Sequence, residues 1–99
     1  MKAALLEAVP GQLVIVDDVE HDAVGPREVL IRTSAAGVCH SDLHFMEGKF
    51  RTRTPTVIGH EASGVVLEVG RDVTFVKPGA HVVTCLSVFC GTCEFCLSG

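Results

Sequence analysis

The sequence predicts a mainly β fold, a small barrel or sandwich that carries one short helix. Three observations predict it. Apolar residues gather in short β-branched runs at Leu13–Val16, Glu28–Thr33, Gly64–Gly70 and Ala80–Cys85, a length that suits strands rather than helices. Turn-forming pairs, Gly25-Pro26 and Pro78-Gly79, separate them. One stretch, Val38 to Gly48, breaks the β pattern.

The elements follow in order. Met1 to Glu7 reads as a first strand, since Glu7 and Pro10 interrupt its apolar stretch too early for a signal-peptide core. Leu13–Val16 is the second strand. Asp22 to Arg27 forms a turn, and Glu28 to Thr33 a strand. Ser41 to Met46 suits a short helix ended by Gly48. Phe50 to Pro55, with two Arg and two Thr, is an exposed loop. Gly64 to Gly70 is a strand bounded by glycines. Val76-Lys77-Pro78-Gly79 fits a type II turn, and Ala80 to Cys85 continues as a strand. From Leu86 onward the cysteines dominate.

With 99 residues the chain has room for one small domain. Its net charge of −4, with both signs interspersed, lacks the clustered Lys and Arg of a nucleic-acid or anionic-membrane surface. No apolar run approaches the roughly 20 residues of a membrane-spanning helix. The expected compartment is the cytoplasm, where five cysteines point to metal binding or catalysis rather than to disulfides.

Two constellations carry chemistry. Cys90-Gly91-Thr92-Cys93-Glu94-Phe95-Cys96 sets three thiols at C-x2-C-x2-C spacing. Thiolates are soft ligands that suit zinc, and this spacing lets one loop wrap one ion. The alternatives are buried cysteines without metal, or an iron–sulfur cluster; Leu97-Ser98-Gly99 departs from the Cys and Pro that continue the ferredoxin run. Further forward, Gly37-Val38-Cys39-His40-Ser41-Asp42-Leu43-His44 and Gly59-His60-Glu61 collect a thiol, imidazoles, carboxylates and a hydroxyl. A catalytic zinc takes three protein ligands and one open position, and Cys39 and His60 can supply two. Asp42 is a candidate to hold the other ring nitrogen of a ligating His.

These motifs resemble the zinc-containing alcohol dehydrogenases of the medium-chain dehydrogenase/reductase superfamily. Gly59-His60-Glu61-Ala62-Ser63-Gly64, then Gly70 and Val73, matches the family's zinc signature. Gly37 to His44 matches its first metal-ligand segment, and Cys90, Cys93 and Cys96 the start of its structural-zinc lobe. The resemblance implies an incomplete GroES-like barrel over residues 1–99, the N-terminal part of a catalytic domain. It implies Cys39 and His60 as catalytic zinc ligands, with Glu61 as an exchanging ligand. Asp42 would orient His60, Ser41 would bond the alcohol oxygen, and His44 would pass its proton outward. His40 would meet the pyrophosphate of NAD or NADP. Cys90, Cys93 and Cys96 would hold a structural zinc. The implied substrates are small alcohols or the matching aldehydes and ketones.

The resemblance also implies what these residues lack. A third catalytic ligand, a fourth structural cysteine and a dinucleotide domain are missing, so the stretch alone is expected to be inactive. Unpaired strand edges favour association between copies, and a homo-oligomer is expected. A GroES-like zinc module without redox activity is the other reading; a zinc-free quinone reductase fits poorly with Cys39 and His60 both present. Elsewhere the bland readings stand. Cys85 is expected to be buried, His21 and His81 solvated, Phe45 and Met46 in the core, and Phe89 and Phe95 packed on the cysteine loop.

Overall fold

Two antiparallel sheets of three strands each organise the chain in a computed structural model that describes residues 1–99. The elements are β1 (Ala3–Leu6), β2 (Leu13–Val16), β3 (Val29–Ala36), α1 (His40–Met46), β4 (Thr56–Val57), β5 (Ala62–Val69), β6 (His81–Val83) and α2 (Glu94–Ser98). The first sheet has the order β2-β1-β4 and the second β3-β5-β6.

Register follows from which faces are apolar. In the first sheet Ala3 pairs with Val16 and Leu6 with Leu13, which leaves Leu6 fully buried. β4 joins the other side of β1 through Leu5↔Val57 and Leu6↔Thr56. In the second sheet β3 and β5 pair from Val29↔Val69 to Ala36↔Ala62, with register shifts at Leu30/Ile31 and Thr33/Ala35. Such bulges sharpen the local twist. β6 adds Ser63↔Val83, Gly64↔Val82 and Val65↔His81, and Val66 is the buried anchor of this sheet, 1 % exposed.

Neither sheet closes on itself, so the barrel is open. The accessible surface is 7732 Å², against about 5,400 Å² for a compact monomer of this mass. The radius of gyration is 15.3 Å, against about 13 Å for a globular chain of this length. The excess is largely apolar: Phe75, Val83, Val88, Phe89 and Phe95 all face outward.

The turn at Pro78-Gly79 has the expected geometry. Gly79 takes φ +88, and the Ala80 amide donates to the Lys77 carbonyl at 3.0 Å. His21 and His81 are exposed, as expected. Other elements differ from the sequence reading. β3 runs on to Ala36, because Ala35 and Ala36 find partners in Ser63 and Ala62. β4 was not foreseen; two residues of ladder carry no periodicity. Cys85 is exposed rather than buried. Phe89 and Phe95 are 70 % and 78 % exposed and do not pack the cysteine loop, since no element of these residues lies over them.

Candidate metal centre

Helix α1 starts at a chemically loaded residue. Cys39 is its N-cap, in extended conformation at φ −98, ψ 156. The amides of a helix's first turn have no partner within the helix. Asp42, at the third helical position, reaches back and its Oδ2 accepts the Cys39 amide at 2.9 Å. This is the carboxylate arm of a capping box, and Asp42 is itself buried, 5 % exposed. No hydrogen bond joins Asp42 to His60. Asp42 thus holds Cys39 at the helix start through Oδ2, while its other oxygen, Oδ1, is buried.

The opposite wall comes from the start of β5. Gly59 adopts φ +119, a conformation an L side chain resists, and it turns the chain so that His60 and Glu61 face Cys39. The Gly37 amide donates to the Glu61 carbonyl at 2.8 Å. One donor atom from each of Cys39, His60 and Glu61 lies within 4.8 Å of the others. His60 Nε2 and the Glu61 carboxylate are 4.0 Å apart. All three line an open cleft of about 660 Å³ with Ala36, Thr84 and Leu86.

The Cys39 thiol is held below its ordinary value, first by the Ser41 hydroxyl, then by the Ser41 amide and the His60 ring. The Ser41 hydroxyl lies close enough for this but completes no hydrogen bond. Ser41 Oγ and Asp42 Oδ1 are both buried without a partner, and such orphans call for an explanation. A thiol, an imidazole and a carboxylate converging in this way fit the donor preferences of zinc.

The remaining predicted residues sit on α1 away from the cluster's centre. His40 is exposed and stacks edge-on against His44, ring centroids 4.8 Å apart. His44 in turn meets Phe50 at 5.1 Å.

The second cluster lies in the C-terminal lobe. Cys90 and Cys93 each approach Cys96, at 3.7 Å and 3.5 Å between sulfurs. A tetrahedral ion with about 2.3 Å bonds to sulfur would space them about 3.8 Å apart, so these thiols also fit zinc. Thr92 Oγ1, the Thr92 amide and the Cys93 amide all point at Cys90 Sγ. Led by the Thr92 hydroxyl, they lower the Cys90 thiol to about 6. Arg27 donates to the Cys90 carbonyl at 2.9 Å and ties the lobe to the β3 side of the fold.

One residue of this neighbourhood escaped the sequence reading. Thr84 Oγ1 donates to the His60 carbonyl at 2.9 Å and accepts the Ala62 amide at 3.0 Å. A lone Thr at a strand end carries no signal that could have found it.

Residues 25–99 match the family model for the alcohol dehydrogenase GroES-like domain. The chain belongs to that family. Both donor clusters of this GroES-like domain lie inside the matched span. The chain is 46 % identical over 98 residues to the NDMA-dependent alcohol dehydrogenase of Amycolatopsis methanolica, covering 99 % of this chain and 26 % of that one. It is 48 % identical over 88 residues to the S-(hydroxymethyl)glutathione dehydrogenase of Photobacterium damsela, covering 82 % of this chain and 23 % of the relative. The chain thus spans about a quarter of the length of the relatives it matches. Its fold superposes on the alcohol dehydrogenase TADH from Thermus sp. ATN1 with a TM-score of 0.87 at 33 % identity, covering 99 % of this chain and 28 % of that structure. The open barrel described above is this GroES-like fold, incomplete. No helix is long and apolar enough to cross a membrane.

Proposed function

We propose that the Cys39–His60–Glu61 cluster is the catalytic metal centre of a zinc-dependent alcohol dehydrogenase that moves a hydride between a small alcohol and NAD or NADP. The observation that carries this reading is the convergence of three donor atoms within 4.8 Å from two separate elements, in a domain whose relatives are alcohol dehydrogenases. Cys39, His60 and Glu61 would hold the zinc, which when bound supplies Lewis-acid polarisation of the alcohol oxygen.

This chain's own residues do the rest. Asp42 holds Cys39 at the helix start. Ser41 Oγ, buried and unpaired, is free to accept the alcohol proton. His44, half-buried on the same helix, is an imidazole suited to pass that proton to solvent. His40, exposed at the first turn, would meet the anionic part of the cofactor. Cys90, Cys93 and Cys96 would hold a structural zinc that fixes the lobe. Residues 1–99 contain no G-x-G-x-x-G fingerprint, so the main dinucleotide-binding fold is proposed to lie outside them, with His40 as this chain's contact to the cofactor. The intact enzyme is proposed to be a cytoplasmic homo-oligomer, with no nucleic acid or membrane partner.

The test is zinc content and alcohol oxidation measured together in the protein that contains this chain. The reading expects Cys39→Ala to abolish turnover and remove about one zinc per chain. Full activity in that variant would refute it.

A further inference from the structure

We infer that Thr84 is a positioning residue for the His60–Glu61 metal corner, acting through the backbone on both sides of Glu61. The β5–β6 ladder sets the geometry. The register Ser63↔Val83, Gly64↔Val82, Val65↔His81 makes Ala62 and Thr84 the next opposed pair. Opposed pairs in an antiparallel sheet alternate between those that exchange two backbone hydrogen bonds and those that exchange none, and Ala62–Thr84 falls in the first class. One is made: the Thr84 amide donates to the Ala62 carbonyl at 2.9 Å. The other is replaced. The Ala62 amide turns to Thr84 Oγ1 instead of the Thr84 carbonyl, at 3.0 Å.

That exchange frees the hydroxyl proton for a second bond. A carbonyl can only accept, so the hydroxyl must donate to His60 O, at 2.9 Å. One side chain therefore bridges the carbonyl before Glu61 and the amide after it. The Glu61 carbonyl is tied separately by the Gly37 amide at 2.8 Å. The corner that presents His60 and Glu61 is thus pinned at consecutive peptide groups, on the wall of the cleft that Thr84 also lines. The substitution of hydroxyl for carbonyl also explains why β6 stops at Val83, two residues before the run of β-forming residues ends.

The inference rests on the metal reading of Cys39 and His60, and its test separates the two. Zinc affinity is measured by competition titration in the reduced chain with Cys85→Ser, Cys90→Ser, Cys93→Ser and Cys96→Ser, which leaves Cys39 as the one remaining thiol. Exchange of the Ala62 amide with deuterium is followed by NMR in the same samples. Thr84→Val keeps the shape and removes the hydroxyl. It is expected to weaken zinc about three- to tenfold and to speed Ala62 exchange by a similar factor, the worth of an ordinary hydrogen bond. Thr84→Ser should restore both, which a role in packing alone would not. Val83→Ala, on the same strand and 78 % exposed, should change neither. If Thr84→Val does not fold, Thr84→Ala reads the same two quantities. Equal zinc affinity in wild type and the hydroxyl-free variant overturns the inference alone. Absence of zinc binding by the wild-type cluster overturns the metal reading, and the inference with it.

Discussion

Replacing Gly59 with Ala isolates the backbone geometry that aims His60. Gly59 has φ +119, and a Cβ built there meets no atom within 4 Å. The cost of the substitution is therefore torsional, with no steric part. A side chain held in such a sparsely populated region costs about 1–3 kcal/mol. Gly79 provides the internal control: its φ is +88 and its added Cβ also meets nothing within 4 Å, but it lies in the turn before β6. Both variants should lose about 1–3 kcal/mol in urea unfolding at unchanged slope if the strain is retained. At Gly59 the chain has another way out. Rotating the peptide relieves the strain and swings His60 away from Cys39, so zinc affinity falls instead, by roughly 5- to 150-fold for the same energy. Isothermal titration with zinc and urea unfolding on each variant read the two quantities. Gly59→Ala should lose stability, zinc affinity or both, and Gly79→Ala stability alone. Wild-type behaviour of Gly59→Ala in both assays, or equal loss of zinc affinity in the two variants, would refute the reasoning.

Other expectations follow from the same structure. Leu6→Ala empties a fully buried position and should cost about 2–5 kcal/mol in chemical unfolding. Asp42→Ala strips the acceptor from the Cys39 amide and should cost about 1 kcal/mol, with faster hydrogen exchange at Cys39. Cys90, lowered to about 6, should be alkylated by iodoacetamide in the metal-free chain with a midpoint near that pH. The sign follows from linkage: a depressed thiol favours the folded loop while it is ionised, and the benefit is lost as pH falls through about 6. Zinc held by Cys90, Cys93 and Cys96 competes with protons for the same thiolates, so it should be released only as pH falls below that range, as a colorimetric chelator would show. A midpoint near the ordinary thiol value would contradict the network of Thr92 and Cys93 donors.

Much of this was legible in the residues themselves. Leu13–Val16 is a strand because a four-residue run with three β-branched residues is too short for a helix and suits a pleated ladder, and the Pro78-Gly79 pair sets its turn. Cys39, His60 and Glu61 could be named because ligand chemistry is confined to a few residue types. The relations between residues were less legible. Asp42 carries two carboxylate oxygens, and only the N-cap position of Cys39 shows that one of them is taken by the helix start. Thr84 matters through register, which places it opposite Ala62 rather than through any motif. Phe89 and Phe95 are apolar, and composition alone places such residues inside; whether anything covers them is a property of the surrounding fold, and here they stand exposed.

Cys39 and His60, with Glu61, are proposed to form a metal site distinct from the cysteine lobe. Cobalt(II) titration of the reduced chain distinguishes the two, because thiolate coordination produces sulfur-to-cobalt charge-transfer absorption. With Cys85, Cys90, Cys93 and Cys96 all changed to Ser, a saturable charge-transfer band should persist and be displaced by zinc. Cys39→Ser should abolish this band, and His60→Ala should weaken cobalt binding. A band that vanishes with those four cysteines, or that survives Cys39→Ser in their absence, would contradict a metal site at Cys39 and His60.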